Sequence, residues 1–421
     1  METLAIIGTG IAGLGCAHFL QRRFALTLYE KDAHIGGHAN TVTVEEDAGS
    51  VPIDTGFMTY NEVTYPHLTR LFRDLAVTSQ PSSMSFSVQH RPAQLEFCGS
   101  SLNHLFGQRR NLLNARFWKM LLTINRFNQE AVESLHSARF EQQSLGEYLR
   151  ERNYGDQFRD FYLMPMSCAV WSTPPAQMLQ FPAATLLRFF HNHGFLGLHT
   201  QHPWRTVVGG ARRYVEKLTI PFRDRIHLRR GVRRVQREQA RVSVTDESGQ
   251  RECYDRVILA CHADQALALL VDADQHERAL LGEFKYQPNT ALLHTDAAVM
   301  PRTRRCWSSW NYRVDRHDDG RAAPSTVYWI NRLQRPSTRQ NYFVSINGAE
   351  ALQPEKILRR IDYEHPLFNL GAIRAQSELP DLNRRHTGVY FCGSYFRYGF
   401  HEDALTSALT LSRELDGDVW H

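Results

Sequence analysis

Several patterns that would assign a function at once are missing from this chain of 421 residues. Its seven cysteines are scattered and form no C-x-x-C pair, so we expect neither a disulfide framework nor a zinc site. No apolar run reaches the roughly 18 residues that a membrane-spanning helix needs. The apolar stretch 4–20 has no basic region before it and contains four glycines, so it does not fit a signal peptide. These absences predict a cytoplasmic protein that binds no metal ion.

The chain also contains few lysines and has a small net charge. The 49 basic residues include only five lysines, and 44 acidic residues leave a net charge of +5. A balance this small, without a recognition motif, predicts that nucleic acid is not a partner. The excess of arginine has two interpretations, because arginine binds phosphate in a bidentate manner but a G+C-rich genome produces the same bias. With 42% hydrophobic residues the chain can bury a core, and its length predicts two to three domains.

Three glycines near the N-terminus have the spacing Gly8-x-Gly10-x-x-Gly13, between a predicted strand at 3–7 and a predicted helix. Gly8 permits a tight turn, Gly10 lets the backbone approach a pyrophosphate, and Gly13 lets the helix pack closely on the strand. The helix N-terminus then offers free N–H donors to the phosphates. Glu30 closes the next predicted strand, where its carboxylate would accept hydrogen bonds from the adenosine ribose. The pattern predicts a dinucleotide site that excludes a 2′-phosphate.

A second glycine pair narrows the choice of dinucleotide. Gly36 and Gly37 follow Glu30, and Asp54-Thr55-Gly56 comes shortly afterwards. A dehydrogenase that uses exchangeable NAD has no particular need for these motifs. A tightly held FAD does need them, because its pyrophosphate and ribityl chain continue past the first helix. These residues therefore favour FAD.

The chain resembles the FAD-dependent amine oxidase and phytoene desaturase superfamily at both ends and in the middle. The matching stretches are 8–14, Glu30 with Gly36-Gly37, 207–210, 391–394 and 399–404. The resemblance implies an α/β fold, with a discontinuous Rossmann-like FAD-binding domain and an interleaved α+β substrate domain. We predict that the FAD-binding domain comprises 1–80, 205–270 and 375–421. The substrate domain is then predicted at 81–204 and 271–374.

The resemblance also implies which residues hold FAD. Backbone N–H groups of the last helix would face the flavin, and the strand that includes Val232 would hold the adenine. The expected cofactor-binding residues are Gly8, Gly10, Ile11, Ala12, Gly13, Glu30, Lys31, Gly36, Gly37, His38, Thr55, Gly56, Val232, Gly393, Ser394, His401, Glu402 and Ala404. One departure is His38, which stands where the superfamily usually has an arginine that pairs with the pyrophosphate.

Further stretches resemble a bacterial flavoprotein group that accompanies cyclopropane-synthase-like lipid methyltransferases, one branch of which comprises acyl-lipid desaturases of furan fatty acid formation. They are 192–196, 204–207, 286–289, 293–296 and 307–312. This resemblance implies a flavin-dependent desaturase. Its substrate would be an unsaturated or methylated acyl chain of a membrane phospholipid, with hydride transfer to N5 of FAD. A lipid methyltransferase would then be a partner.

The segment 109–135 has a pattern that is relevant to whether the substrate is a membrane lipid. Leu113, Phe117, Leu121 and Ile124 share one helical face, and arginines and Lys119 occupy positions around it. A basic, aromatic amphipathic helix can lie in an anionic membrane interface, which would place the protein on the inner face of the cytoplasmic membrane. An ordinary domain helix that packs its apolar stripe inward has the same pattern, and both interpretations stay open.

Hydride transfer to a flavin needs mainly positioning of the substrate, together with a base that accepts a proton. The candidate catalytic residues are His401, His294, Asn289 and Tyr286. Amine-oxidising relatives commonly carry a lysine near flavin N5, and no convincing counterpart occurs at 290–296. Two alternatives remain open: an FAD-dependent oxidase of a soluble amine, and a non-catalytic flavin- or lipid-binding partner of a lipid methyltransferase.

Overall fold

The computed structural model describes residues 1–197, 200–316, 321–385, 387–417 and 419–420. Among these residues, no helix combines the length and the apolar character that crossing a membrane would require.

Strands occur along the whole chain. In chain order they are β1 (Thr3–Ile7), β2 (Ala25–Tyr29), β3 (Thr41–Glu46), β4 (Gly49–Asp54), β5 (Tyr60–Asn61), β6 (Ser79–Ser82), β7 (Phe86–His90), β8 (Leu95–Cys98), β9 (Trp204–Val207), β10 (Ile226–His227), β11 (Val232–Arg237), β12 (Val242–Asp246), β13 (Arg251–Tyr254), β14 (Arg256–Leu259), β15 (Lys285–His294), β16 (Trp310–Arg316), β17 (Ala322–Trp329), β18 (Phe343–Ile346), β19 (Ile357–Leu367) and β20 (Val389–Phe391).

Helices connect and cover these strands. The α-helices are α1 (Ile11–Leu20), α2 (Pro66–Asp74), α3 (Leu102–Leu105), α4 (Ala115–Ser134), α5 (Leu145–Arg152), α6 (Asp156–Phe158), α7 (Met164–Trp171), α8 (Pro175–Met178), α9 (Ala183–Asn192), α10 (Arg212–Thr219), α11 (Ala263–Leu269), α12 (Gln275–Leu281), α13 (Ile330–Leu333), α14 (Leu370–Arg384) and α15 (His401–Leu415). A π-helical turn, Arg159–Leu163, joins α6 to α7, and a 3-10 turn, Arg109–Leu113, precedes α4.

A parallel sheet forms the first layer, with the strand order β10-β2-β1-β14-β20. Its central strands β1 and β14 are buried beyond their first residue and mostly apolar, as parallel strands covered on both faces are. Helix α1 is buried along its length and packs against α15. This close packing uses Gly15, where an added Cβ would lie 3.0 Å from Leu405 and 3.1 Å from Ala408. The predicted Rossmann-like domain is confirmed.

The second large sheet has the order β19-β15-β18-β17-β16-β7-β8 and is mainly antiparallel. Its one parallel pairing joins β16 to β7, across more than 200 residues of sequence. Helices α4 to α9 cover part of this sheet and complete the α+β substrate domain, which confirms the predicted fold class. Strands of the two large sheets fall into the two sets of segments given above, and the exact domain boundaries stay a prediction.

Helix α4 begins later than the sequence pattern suggests. The segment before Asn114 is a 3-10 turn, and the side chain of Asn114 caps α4 by accepting hydrogen bonds from the amides of Arg116 (3.1 Å) and Phe117 (3.3 Å). Phe117, Met120 and Phe127 point into the domain, whereas Leu113 is 93% exposed and outside the helix. The expected continuous face that includes Leu113 and Phe117 is therefore wrong, because the helix does not reach Leu113.

Candidate functional site

The loop between β1 and α1 forms a cradle of backbone. Gly8 has φ = +104°, and an added Cβ there would lie 2.8 Å from the carbonyl oxygen of Ala260. A Cβ on Gly13 would overlap the carbonyl oxygen of Gly8, so helix and loop are in direct contact. A Cβ on Gly10 would meet no atom within 4 Å, which leaves open space at the N-terminus of α1. Open space beside free helix N–H groups fits a pyrophosphate.

The second glycine motif lies against the first. A Cβ on Gly37 would lie 3.2 Å from the Cα of Gly10. The amide of Gly36 donates to the carbonyl oxygen of Thr9 (3.0 Å), which fixes the distance between the two loops. The two motifs thus border one continuous cavity wall, as a ligand that extends beyond the first pyrophosphate turn requires.

Glu30 lies at the carboxyl end of β2 and its carboxylate is already oriented. One oxygen accepts hydrogen bonds from the amide (3.0 Å) and the hydroxyl of Thr9, and the other accepts from the amide of Asp32 (2.9 Å). One lone pair of the second oxygen is left for a ribose hydroxyl. The side chain of Lys31 is exposed, and its charge is close enough to contribute to the lowered pKa of His262, after desolvation and His38.

Val232 lies beside this end of the site. The amide of Arg230 donates to the carbonyl oxygen of Glu30 (2.8 Å), which holds the chain leading into β11 next to β2. The guanidinium of Arg230 is fixed by Asp246 (2.7 Å) and lies 4.9 Å from the ring centre of Tyr29. Val232 is the first residue of β11, which belongs to the small antiparallel sheet β11-β12-β13 and not to the parallel sheet. Its position next to Glu30 fits a contact with adenine.

The other end of the site lies at the start of α15. The ring of His401 stacks on Phe57, with 3.9 Å between ring centroids, and its Nε2 is 3.0 Å from the hydroxyl of Tyr214. The amides of the first turn of a helix have no intrahelical acceptor, so those of His401, Glu402 and Asp403 can face a ligand. Desolvation, with a smaller contribution from His38, lowers the pKa of His401 to about 3.

Four histidines line this end of the cleft. His38 stacks on Tyr363 (4.8 Å between centroids) and lies 5.4 Å from the ring of His365. Desolvation lowers the pKa of His38 to about 4, and that of His262, His365 and His401 to about 3. Their side chains nevertheless keep partial exposure. Partly exposed but strongly desolvated rings indicate the wall of a deep cleft, and all four imidazoles are neutral at pH 7.

This result bears on His38, which replaces the arginine usual in the superfamily. A desolvated ring with a pKa of about 4 brings no positive charge to the pyrophosphate. The residue can donate one hydrogen bond. The site must therefore hold the phosphates mainly through backbone N–H groups and helix N-termini.

Two other predicted cofactor residues, Thr55 and Gly56, border His38. The hydroxyl of Thr55 lies 3.0 Å from the carbonyl oxygen of Asn40 and 3.0 Å from the hydroxyl of Tyr363. A Cβ on Gly56 would overlap the carbonyl oxygen of His38. Both residues therefore support the loop that carries His38, and the side chain of Thr55 is occupied by protein partners.

Some predicted contacts at the last helix need correction. The carboxylate of Glu402 accepts from the amides of His67 (2.9 Å) and Leu68 (2.9 Å), so its side chain caps α2 and points away from the cleft. The amide of Ala404 donates to Phe400 (3.0 Å) within the helix and is not free. The amide of Gly393 likewise donates to the hydroxyl of Ser407 (2.9 Å). These three groups already have protein partners, whereas the amide of Glu402 is available, so FAD contact at this turn stays a prediction for the backbone of His401, Glu402 and Asp403.

Ser394 follows in a 3-10 turn before α15, and its side chain is partly exposed. It remains a prediction for FAD contact.

The structure argues against a catalytic role for His294. This residue lies at the far end of β15, is fully buried, and has both ring nitrogens engaged, by Ser345 (2.8 Å) and by the amide of Asp296 (3.1 Å). It is five residues from Asn289 along an extended strand, or roughly 17 Å. His294 is therefore a structural residue of the sheet.

Asn289 lies at the cleft, where it orients the side chain of His365. Its Nδ2 donates to the carbonyl oxygen of Ser172 (3.1 Å) and to Nδ1 of His365 (3.0 Å), and its Oδ1 accepts from Asn347 (2.8 Å). A carbonyl can only accept, which fixes the orientation of the amide. Nδ1 of His365 is then the acceptor, and its Nε2 carries the proton. Asn289 is a positioning residue for His365.

Tyr286 also lines the cleft. Its ring stacks on His262 with 4.2 Å between centroids, and its hydroxyl accepts from the amide of Ala263 (3.1 Å) at the start of α11. Burial raises the pKa of Tyr286, so the hydroxyl stays protonated. The residue shapes the wall and its hydroxyl has a partner, which makes proton transfer by Tyr286 a poor fit.

Sequence reasoning missed His365, Tyr363, His262 and Tyr214. Tyr363 and His365 alternate along β19 and share one face of the strand, which was the available signal. Which element that face meets depends on the pairing of β19 with β15, and local sequence does not specify that pairing.

An aromatic cluster adjoins the start of α15 on the substrate side. Trp171 of α7 donates from Nε1 to the carbonyl oxygen of Tyr398 (3.1 Å). Phe189 of α9 stacks on Phe400 with 5.0 Å between centroids, and its ring lies 4.7 Å from that of Trp171. Phe189 is buried, whereas its partner Phe400 is partly exposed directly before His401.

The parallel sheet with its glycine cradle, the oriented carboxylate of Glu30 and the helix N-terminus at the far end are the arrangement expected of an FAD-dependent oxidoreductase. The model of the flavin-containing amine oxidoreductase family matches residues 11–365. The chain belongs to this family, and its cofactor is FAD.

Solved structures of the same fold cover almost the entire chain. A triple variant of putrescine oxidase is 14% identical with a TM-score of 0.69, and 99% of each chain is covered. A CLA-producing fatty acid isomerase from P. acnes is 14% identical with a TM-score of 0.70 and the same coverage. Cyclohexylamine oxidase from Brevibacterium oxydans is 16% identical with a TM-score of 0.67, again over 99% of each chain. No curated protein sequence matches the chain.

Proposed function

We propose that this oxidoreductase dehydrogenates an acyl chain of a membrane phospholipid, at a position beside an existing double bond or methyl branch. The observation that carries the proposal is the aromatic cluster of Trp171, Phe189 and Phe400 directly beside the start of α15. The four desolvated histidines of the site add no positive charge to it. Neutral imidazoles and an aromatic wall suit an apolar, uncharged substrate, because neither demands a compensating charge.

The aromatic cluster supplies the apolar surface next to the site. Trp171, Phe189 and Phe400 lie within 6.0 Å of one another, and Phe400 is adjacent to His401. Burial also raises the pKa of Asp403 to about 7, and its carboxylate already accepts a hydrogen bond from the amide of Phe400 (2.9 Å). A cationic amine would find no strong counter-ion in these groups.

Desaturation removes a hydride and a proton from adjacent carbons and leaves a double bond. Bound FAD supplies the hydride acceptor. The proton leaves to a neutral imidazole, for which His401 is our candidate. Its Nε2 contacts the hydroxyl of Tyr214, so Nδ1 would be the accepting nitrogen. The hydrogen bond from Asn289 to Nδ1 of His365 leaves the Nε2–H of His365 on the side away from Asn289. This N–H can then donate a hydrogen bond at the site. The aromatic cluster excludes water and aligns the chain.

Among the reported structures, the fatty acid isomerase is one whose named substrate is an acyl chain. That likeness of fold supports an apolar substrate in this type of cavity. The two amine oxidases support the alternative, oxidation of an amine.

The test is anaerobic reduction of the purified yellow protein, followed at the flavin band near about 450 nm. Phospholipid dispersed in detergent, with a monounsaturated or methyl-branched chain, is the first substrate, and putrescine and cyclohexylamine are the others. We expect bleaching with lipid and a product lighter by two hydrogens. Bleaching by an amine alone would establish the alternative and overturn the proposal.

A pair of variants separates the site from the fold. His365→Phe keeps an aromatic ring but removes the donor, and should slow lipid-driven bleaching by about tenfold or more. Ser345→Ala, in the same substrate domain but at the His294 end of the sheet, should leave the rate unchanged. Equal rates in both variants would contradict the proposed site.

A further inference from the structure

Exposed apolar side chains are concentrated in one short stretch of the substrate domain. Of the twelve large apolar side chains exposed in the described residues, five lie between 102 and 122. We call this set the 102–122 face, and it consists of Leu102, Leu112, Leu113, Trp118 and Leu122. Leu113, Leu102 and Leu122 are 93%, 74% and 70% exposed. Contiguous exposure of this kind marks an interaction surface.

The face is held in place by its own contacts. Trp118 and Leu122 are one turn apart on α4, opposite the buried residues of that helix. The indole Nε1 of Trp118 donates to the carbonyl oxygen of Leu112 (2.9 Å), which ties α4 to the preceding turn. The ring of Phe106 supports the indole at 5.1 Å between centroids. The apolar side chains are therefore presented by a fixed backbone.

The charge around the face has one sign. Residues 97–129 contain no aspartate or glutamate but contain five basic residues, a number equal to the net charge of the whole chain. Arg109, Arg110, Arg116 and Lys119 are exposed, and within the described part of the chain none forms an ion pair with a carboxylate. Arg109 instead donates to the carbonyl oxygen of Phe106 (2.9 Å). Positive charge is thus available around an apolar centre.

We propose that the 102–122 face docks the protein on an anionic lipid bilayer. The leucines and Trp118 enter the interface between headgroups and acyl chains, and the basic residues contact lipid phosphates. A second copy of this chain does not fit the face, because a two-fold contact would place the positive charges of Arg109, Arg110, Arg116 and Lys119 against the same four of the other copy.

The docking surface is connected to the catalytic end. Helix α4 packs against α9, which carries Phe189 to the aromatic cluster beside α15. The idea that docking brings the enzyme to its substrate rests on the proposed function. The idea that the face binds a lipid surface depends only on the exposure and charge given above.

The experiment measures binding of the FAD-loaded protein to vesicles by flotation. Vesicles of equal parts phosphatidylglycerol and phosphatidylcholine are compared with vesicles of phosphatidylcholine alone. We expect binding to the anionic vesicles at low salt and weak binding to the neutral ones. At about 1 M salt the Debye length falls to about 3 Å, and binding should drop.

Two triple variants test the face. Arg110→Gln with Arg116→Gln and Lys119→Gln should weaken binding by about a hundredfold. Leu113→Ser with Trp118→Ser and Leu122→Ser should weaken it by a similar factor or more. The three basic positions are exposed, so that variant should keep its flavin absorbance and melting temperature. The apolar variant also loses the hydrogen bond from Trp118 to Leu112, so its binding is compared at a temperature where its flavin absorbance equals that of the wild type.

Matched controls change equivalent residues elsewhere. Arg223→Gln with Arg339→Gln and Arg359→Gln removes exposed arginines, and Ile220→Ser with Val271→Ser and Leu358→Ser removes exposed apolar groups. Both controls should bind as the wild type does.

Two outcomes would overturn the proposal: no binding of the wild type to anionic vesicles at low salt, or equal binding by face variants and controls. Self-association that the face variants abolish, without vesicle binding, would assign the face to a second copy instead. Vesicle binding is measured without turnover, so its failure and failure of lipid-driven flavin reduction in detergent are distinguishable.

Discussion

The imidazole of His401 lies almost parallel to the ring of Phe57, with 14° between the planes and 3.9 Å between the centroids. Tyr214 contacts the same imidazole through its hydroxyl and is itself fully buried. The first residue of α15 is therefore fixed by two aromatic side chains, and the helix N-terminus cannot turn independently of the cleft.

The buried His401 makes stability depend on pH. Its pKa is about 3 in the folded protein and near 6.5 in the unfolded chain, so between these values the unfolded chain binds one more proton. The free energy of unfolding should fall as the pH is lowered from 7 to 5. The His401→Phe variant should have a slope shallower by up to one proton, or about 1.4 kcal/mol per pH unit. Urea unfolding at several pH values measures this slope.

Tyr214→Phe is the control for this prediction. It removes the hydrogen bond to His401 but no group that titrates between pH 5 and 7. It should lower stability and keep the wild-type slope. If His401→Phe also kept that slope, the assignment of a neutral buried imidazole would be wrong.

Gly10 and Gly13 should respond differently to alanine. At Gly13 the added Cβ would overlap the backbone of Gly8, so Gly13→Ala should cost about 3 kcal/mol of stability even without FAD. At Gly10 the Cβ meets only open space, so Gly10→Ala should keep the stability of the apoprotein. That open space is where we place the pyrophosphate, so Gly10→Ala should lose FAD during purification. Melting of the apoprotein and flavin content report the two effects.

His294 should matter for folding and not for chemistry. Replacement by leucine leaves the hydroxyl of Ser345 and the amide of Asp296 without partners, at a cost of about 2–4 kcal/mol. The turnover per FAD-loaded molecule should be unchanged. A large loss of turnover in a variant of normal stability would restore His294 as a catalytic candidate.

Glu402 links α15 to α2, and this link can be tested separately from FAD binding. Glu402→Ala removes the acceptor of two amides at the start of α2, which should cost about 2 kcal/mol. Glu402→Gln keeps one acceptor oxygen and should cost less. Both variants should retain flavin when folded, and a loss of FAD without a change in stability would contradict the structural role.

The nucleotide end of the site was predictable because it is local in sequence. The spacing from Gly8 to Gly13 and the position of Glu30 follow from one strand, one turn and one helix. Even the start of α4 had a readable signal, since Asn114 is a preferred capping residue ahead of an apolar stretch.

The catalytic end was less predictable because it is assembled from distant segments. His38 meets Tyr363 and His365 only through the placement of β19. His294 was a reasonable candidate by residue type. The ten-residue length of β15, however, brings Tyr286 and Asn289 to the cleft and carries His294 away from it. Which half of a strand reaches a site depends on register, and periodicity alone does not give it.

Strand order also has a consequence for synthesis on the ribosome. In the parallel sheet, β1 near the N-terminus pairs with β14, and β14 pairs with β20 near the C-terminus. In the other large sheet, β7 pairs with β16, which is synthesised more than 200 residues later. Such distant pairings fold slowly and leave unpaired edges during translation. The N-terminus of α15 belongs to the proposed FAD site, and α15 follows β20 in the chain. We therefore expect a nascent chain to retain FAD only after both elements have left the ribosome.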